Sequence, residues 1–240
     1  MRITAPAAGL ALLLALPAQA ALLTYDASLG SLPEAQGWTF EQLGGAPPAP
    51  SVSGGVLYQG TTDYSGAQYW YSTALSYDFT QAPVTVDARL RIDYATFHPF
   101  PRGGYNIVLF DSAGRDAALH ITSSAVFLGN DQLSGASSIV AFDTTDAFHD
   151  YRLTAGPGGI SLSIDGNSIV SLALGPTTSS GLSVSFGDAT ILGQSQSQLQ
   201  FLTVTTQDVP EPATLGVFGL GLAALTTLRR RRQGSPHRHG

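Results

Sequence analysis

From Val84 to Tyr94 apolar and polar residues alternate without a break. Val84, Val86, Ala88, Leu90, Ile92 and Tyr94 share one face, and Thr85, Asp87, Arg89, Arg91 and Asp93 share the other. Period two over this length predicts an antiparallel strand with one buried face. The charged row predicts a solvated face rather than a catalytic one. Tyr105 to Phe110 is apolar on both faces, which predicts a central strand. Ala117 to Thr122 and Ala125 to Leu128 are shorter candidates. Phe148 to Leu153 is followed by Gly156-Pro157-Gly158-Gly159, a turn signal. Ile160, Leu162 and Ile164 alternate with Ser161, Ser163 and Asp165, and Asp165-Gly166 predicts a tight hairpin. Ser168 to Leu174, Leu182 to Phe186 and Leu199 to Thr205 complete the series. Strands every 8 to 12 residues or so, with turn residues between, predict a sandwich or barrel. Gly44 to Pro50 and Gly187 to Gln198 are expected as exposed loops, and no internal repeat is present.

Both ends break this pattern. Met1-Arg2 gives a positive start, Ala7 to Leu16 an apolar stretch, and Ala18-Gln19-Ala20 a small-x-small cleavage pattern. Residues 1–20 are therefore expected to be a signal peptide, with Ala21 as the mature start. At the other end Val209-Pro210-Glu211-Pro212 leads into an apolar run, Ala213 to Leu228, and then into Arg229, Arg230, Arg231 and Arg232. As a helix the run reaches about 24 Å, short of a bilayer core of about 30 Å. Gly216, Gly219 and Gly221 weaken it further. It is expected as a single hydrophobic helix and a marginal span. The arginines hold its end on the cytoplasmic side. Residues 233–240 are expected to be a disordered tail, with His237 and His239 inert. The body, residues 21–208, is long enough for one domain with a substantial core.

The charge of the body sharpens the picture. The chain has no Lys and no Cys. Residues 21–208 hold five arginines against sixteen acidic residues, a formal charge of −11. Such a surface repels nucleic acid, so none is expected as a partner. The lack of cysteine excludes thiol catalysis and thiolate metal sites.

The Val-Pro-Glu-Pro motif, apolar run and arginine cluster together resemble the PEP-CTERM sorting tail of Gram-negative bacteria. That resemblance implies export, handling at the inner membrane by the protease exosortase, and a final place at the cell surface or in the extracellular matrix. The residues after Arg232 depart from tails that stop soon after the basic cluster. A second resemblance lies in Phe148-His149-Asp150-Tyr151-Arg152-Leu153, a glycine turn, and Ile160 to Asp165-Gly166. It is similar to concanavalin A-like and laminin G-like domains, although an aromatic before Asp-Gly is replaced by Ile164. An early Gly54-Gly55-Val56-Leu57 strand and the Val84 strand suit that fold. The resemblance implies an all-β fold, a two-sheet antiparallel jelly roll, whose concave face often binds carbohydrate.

Candidate chemistry is sparse. Glycoside hydrolysis needs two carboxylates about 5 to 9 Å apart. The body has only two glutamates, Glu34 and Glu41, both early and in no such spacing, and Asp87 and Asp93 lie about 20 Å apart along a strand. No Gly-x-Ser-x-Gly elbow is present. Asp143, Asp146 and Asp150 are candidate calcium ligands, with an acidic turn as the alternative. No other cofactor is expected. The most suggestive binding feature is aromatic: Tyr64, Tyr69, Trp70, Tyr71 and Tyr77, with Asp63 and Gln68 beside them. Aromatic faces stack on sugar rings while Asp and Gln bond hydroxyls. Asp63, Gln68, Tyr69, Trp70 and Tyr71 are thus candidate carbohydrate contacts. Tyr69 and Tyr71 share one strand face and Trp70 the other, so one side is expected to be core. Phe97 to Gly104 is a candidate rim. The expected function is a non-catalytic surface or matrix protein associated with exopolysaccharide. An adhesive protein without a glycan ligand and a polysaccharide-degrading enzyme are the alternatives.

Overall fold

Alternation like that of Val84 to Tyr94 recurs along the chain and builds two antiparallel sheets. The computed structural model describes residues 19–62, 66–96, 104–129, 138–175, 183–190 and 193–207, all inside the unit Gln19–Gln207. Among these residues the strands are β1 (Gln19–Asp26), β2 (Thr39–Leu43), β3 (Ser51–Ser53), β4 (Val56–Gly60), β5 (Gln68–Ala74), β6 (Val84–Ala95), β7 (Tyr105–Phe110) and β8 (Asp116–Ile121). They continue with β9 (Ala125–Gly129), β10 (Ser138–Ala141), β11 (His149–Gly156), β12 (Gly159–Ile164), β13 (Asn167–Leu172), β14 (Ser183–Asp188) and β15 (Ser195–Gln207). One sheet has eight strands in the order β13-β12-β11-β6-β15-β4-β3, with β1 also on β15. The other has seven, β10-β9-β8-β7-β14-β5-β2. The fold is the expected two-sheet jelly roll.

The expected signal peptide up to Ala18, Asp63, Tyr64, the Phe97-to-Gly103 part of the expected rim and Leu182 lie outside the described residues. So do the sorting motif Val209 to Pro212, the apolar run 213–228, Arg229 to Arg232 and the tail 233–240. No helix among the described residues is long and apolar enough to cross a membrane.

The core lies between the sheets and is aromatic. Phe186 stacks on Tyr25 with centroids 6.2 Å apart, meets Trp38 edge-on at 4.8 Å and packs on Tyr71 at 5.4 Å. Leu57, Leu90, Ile92, Ile107 and Leu202 fill the space around them and are fully buried. Burial pushes the phenols of Tyr71 and Tyr105 above their ordinary value, so both stay neutral.

Three expectations are corrected. The polar stretch Gly187 to Gln198 is not one exposed loop, because Gly187 and Asp188 end β14 and Ser195 to Gln198 open β15. Ser195 and Ser197 face inward and are buried, while Gln196 is exposed. Small polar residues at the inward positions hid the period. Gly54-Gly55 does not begin a strand. Both have positive φ, +59° and +76°, and they turn β3 into β4. Tyr94 does not follow Ile92 into the core. The pairing of β6 with β15 shifts register between Gln196 and Ser197, placing Tyr94 opposite Gln196 and Ile92 opposite Ser197. The extra residue is a β-bulge, so Asp93 and Tyr94 are both exposed before Ala95 turns back in.

Two polar fasteners hold the connections. Asp111 accepts from the backbone N–H groups of Phe79, Ala113 and Arg115 and from the Arg115 guanidinium. Arg115 also reaches Asp78 at 2.7 Å. This network fixes the turn from β7 to β8. The second fastener joins the Phe148 and Asp165-Gly166 segments. Asp165 takes φ +51° and Gly166 φ +78°, the left-handed pair of a tight hairpin. Its carboxylate then accepts from the Asp150 N–H at 2.9 Å and from His149 Nδ1 at 2.7 Å.

Candidate functional site

The site grows from strand alternation on the seven-stranded sheet. Tyr69 and Tyr71 of β5 point into the core and are buried, so they are not surface contacts. Phe40 packs on both, at 5.9 and 5.3 Å. Gln68, Trp70 and Ser72 point the other way and line a groove of about 530 Å³. Glu41, Val108, Phe110, Ser183 and Ser185 complete its main walls. The structure thus splits the aromatic cluster. It assigns Trp70 and Gln68 to an open face and Tyr69 and Tyr71 to packing.

One cross-strand row organises this face. Glu41 lies opposite Trp70, Trp70 opposite Gly187, and Gly187 opposite Asn106. Asn106 lies opposite His120, and His120 opposite Phe127. A single rung therefore carries carboxylate, indole, glycine, amide, imidazole and phenyl. Glycine matters at its centre. A Cβ at Gly187 would lie 2.7 Å from the Tyr69 carbonyl oxygen and 2.9 Å from Trp70 Cα. Its φ of +131° also disfavours other residues.

Hydrogen bonds fix the polar members. The Ser72 hydroxyl donates to Glu41 Oε1. Asn106 donates from Nδ2 to Thr190 Oγ1 at 3.1 Å, which leaves its Oδ1 as acceptor. His120 bonds that oxygen through Nδ1, so Nδ1 carries the proton. The His120 ring also stacks on Phe127 with centroids 5.0 Å apart. Sequence reasoning misses Asn106 and His120 as members of this rung, because β7 and β8 read as apolar strands and only sheet order aligns them.

Behind the groove lies a buried polar clamp. Thr61 donates from its hydroxyl to Asp188 Oδ2, and Thr190 N–H donates to Asp188 Oδ1 at 3.1 Å. The Ser195 N–H donates back to Thr61 Oγ1 at 3.0 Å. Burial pushes the Asp188 carboxyl up to about 7, against the lowering effect of these hydrogen bonds.

The expected calcium ligands have separate commitments. Asp143 caps Thr145, accepting from its N–H at 2.9 Å and its hydroxyl at 2.7 Å. Asp146 bonds His149 Nε2 at 2.8 Å, and Asp150 pairs with Arg89 at 2.9 Å. Among the described residues no group of three or more His, Cys, Asp or Glu side chains is placed to hold a metal ion. The charged row of β6 is partnered across the sheet surface. Asp87 pairs with Arg152 at 2.6 Å, and Arg91 with Asp93 at 2.8 Å.

Sheet order, core and groove define a concanavalin A-like jelly roll. Solved structures of the same fold agree. A carbohydrate esterase from the Shiga toxin-encoding bacteriophage phi24B superimposes with a TM-score of 0.55 at 14% identity, over 80% of this chain and 100% of that one. An endo-β-1,3-glucanase from Pyrococcus furiosus gives 0.52 at 12% identity, over 78% and 94%. A protein of unknown function from Shewanella oneidensis gives 0.51 at 12% identity, over 80% and 88%. Such identities establish the fold alone. No curated protein sequence matches this chain. Residues 208–232 match the PEP-CTERM protein-sorting motif, which implies export and sorting by exosortase.

Proposed function

We propose that this is a cell-surface or matrix protein that holds a neutral polysaccharide chain in the groove beside Trp70 without cleaving it. The placement of Trp70 carries the reading. Its indole is turned out of an aromatic core onto an open sheet face, between Glu41 and a glycine. An apolar ring face flanked by a few fixed hydrogen-bonding groups suits a sugar ring. Gln68, Ser72 and Glu41 supply those groups. Export through the sorting motif supports a ligand met outside the cytoplasm, such as exopolysaccharide. The names of the bacteriophage esterase and the glucanase state a carbohydrate or glucan substrate, which guides the choice of ligand class.

Hydrolysis is the weaker reading. It needs two carboxylates facing one bond. The described lining of the groove contains one, Glu41.

Retention of the detergent-solubilised full chain on insoluble β-1,3-glucan tests the proposal. Trp70→Ala should lower retention about tenfold, the scale of one lost aromatic stack. Its melting temperature should stay unchanged. Equal retention of Trp70→Ala sinks the groove reading, and release of reducing sugar by the wild type revives hydrolysis.

A further inference from the structure

The outer face of the eight-stranded sheet carries a second aromatic arrangement. Tyr58 of β4 lies opposite Gln198 of β15, and Tyr94 of β6 lies opposite Gln196. Both tyrosines are exposed, Tyr58 at 39% and Tyr94 at 40%. β4 and β6 flank β15 on opposite sides, so the tyrosines stand two strand spacings apart laterally and two residues apart along the strands. That separates them by about 12 Å, more than the width of one sugar ring.

Three features make this face more than scattered surface residues. Strict alternation sends Tyr94 into the core, and the bulge at Asp93 turns it out. Bulges recur where a side chain must be re-aimed for function. The groups between the rings are also held in place. Gln198 donates from Nε2 to Asp93 at 2.8 and 3.1 Å, and Arg91 donates to the same carboxylate at 3.0 and 2.8 Å. Arg91 in turn lies over the Phe148 ring, 5.6 Å from its centroid. Finally, the one cation and one anion here neutralise each other, and the remaining groups are amides. On a body of strongly acidic charge, this patch is locally neutral.

We infer that Tyr58, Tyr94, Gln196 and Gln198 form a second binding platform for an extended neutral polysaccharide, on the sheet face opposite the Trp70 groove. The two rings stack on sugar rings at separate points along one chain, and the glutamine amides bond the hydroxyls between them. A neutral chain matches the patch, whereas an acidic chain is repelled by the net acidic charge of the body. With a groove on one sheet and a platform on the other, one molecule bridges two chains. The platform does not depend on the groove reading; the bridging rests on both.

The test uses the detergent-solubilised full chain on insoluble β-1,3-glucan, with alginate as an acidic comparison. In the Trp70→Ala background, adding Tyr58→Ala and Tyr94→Ala should lower the remaining retention about tenfold or more. Gln198→Glu, which trims no ring, should weaken it as well. Melting temperatures of the tyrosine variants should not move, because Tyr58 and Tyr94 are exposed. In a bridging assay, wild type bound to the insoluble glucan should capture fluorescent laminarin, and the tyrosine variant should not. Retention unchanged by both tyrosine substitutions overturns the platform while leaving the groove intact. Preference for alginate overturns the neutral ligand class. Concentration-dependent dimerisation abolished by the same variants, with no glucan retained through this face, assigns the patch to a second copy instead.

Discussion

His149 and Asp165 meet at 2.7 Å, sixteen residues apart in sequence, and close the hairpin that both flank. The other ring nitrogen of His149 meets Asp146 at 2.8 Å. Two carboxylates at one imidazole favour the charged ring. Burial opposes that charge, yet the hydrogen bonds that the ring donates to Asp165 and then Asp146 prevail, and the His149 pKa is raised above 6.5. Asp165 is lowered below its ordinary value: burial acts against ionisation, and the Asp150 N–H and His149 outweigh it.

The pair sets a pH window. A raised histidine contributes stability fully below about pH 6.5, and loses it as pH rises through the raised value. A lowered aspartate contributes above its ordinary value near 4, and loses it as pH falls through the lowered one. The pair therefore stabilises most in mildly acidic solution. His149→Ala should cost about 1–2 kcal/mol at pH 5.5 and less at pH 8.5. Urea unfolding at the two pH values measures it; an equal cost at both contradicts the ion pair.

Asp188 gives an opposite lesson for a carboxylate. Its folded pKa of about 7 lies above the ordinary value of 3.8. Such a group contributes stability that is complete below about pH 4 and disappears as pH climbs through 7. Asp188→Asn should flatten the melting profile between pH 4 and 8. A wild-type profile that does not fall over this range contradicts the buried assignment.

Removing Asp111 should be the most damaging surface-turn change. Its carboxylate has no exposure, and Arg115 keeps only 12%. Asp111→Ala leaves a buried guanidinium with one partner and several N–H groups with none. A loss of about 3–5 kcal/mol is expected. Chemical denaturation checks it, with Arg89→Ala as a control. That residue's pair with Asp150 is half exposed, so the control should lose under about 1 kcal/mol.

Much of the fold was legible because apolar spacing encodes it. β7 and β9 fall where short apolar runs placed them and β12 where alternation did, and Asp165-Gly166 turns as its side chains dictate. β1, β2, β3 and β10 were not foreseen; they are short or polar, and partner strands rather than their own pattern define them. β15 was seen only in its second half, because Ser195 and Ser197 do not advertise an inward face. The groove was half visible. Trp70 stood out by type, yet the facing walls Glu41, Val108, Phe110, Ser183 and Ser185 come from three other strands, and only sheet order brings them to one groove.

The C-terminal motif makes a chemical prediction of its own. If exosortase cuts this chain, protein recovered from its producing cells should end near Pro212 by intact-mass spectrometry. A recovered chain that still carries Arg229 to Arg232 identifies a resident membrane protein.

The groove is tested most directly by its own fluorophore. The chain has two tryptophans, and Trp38 is 97% buried in the core while Trp70 lines the groove. Titration of the full chain with soluble laminarin should shift indole emission to the blue and saturate. The shift should persist in Trp38→Phe and vanish in Trp70→Phe. An emission spectrum that ignores laminarin, or a shift of the same size without Trp70, contradicts the proposed site.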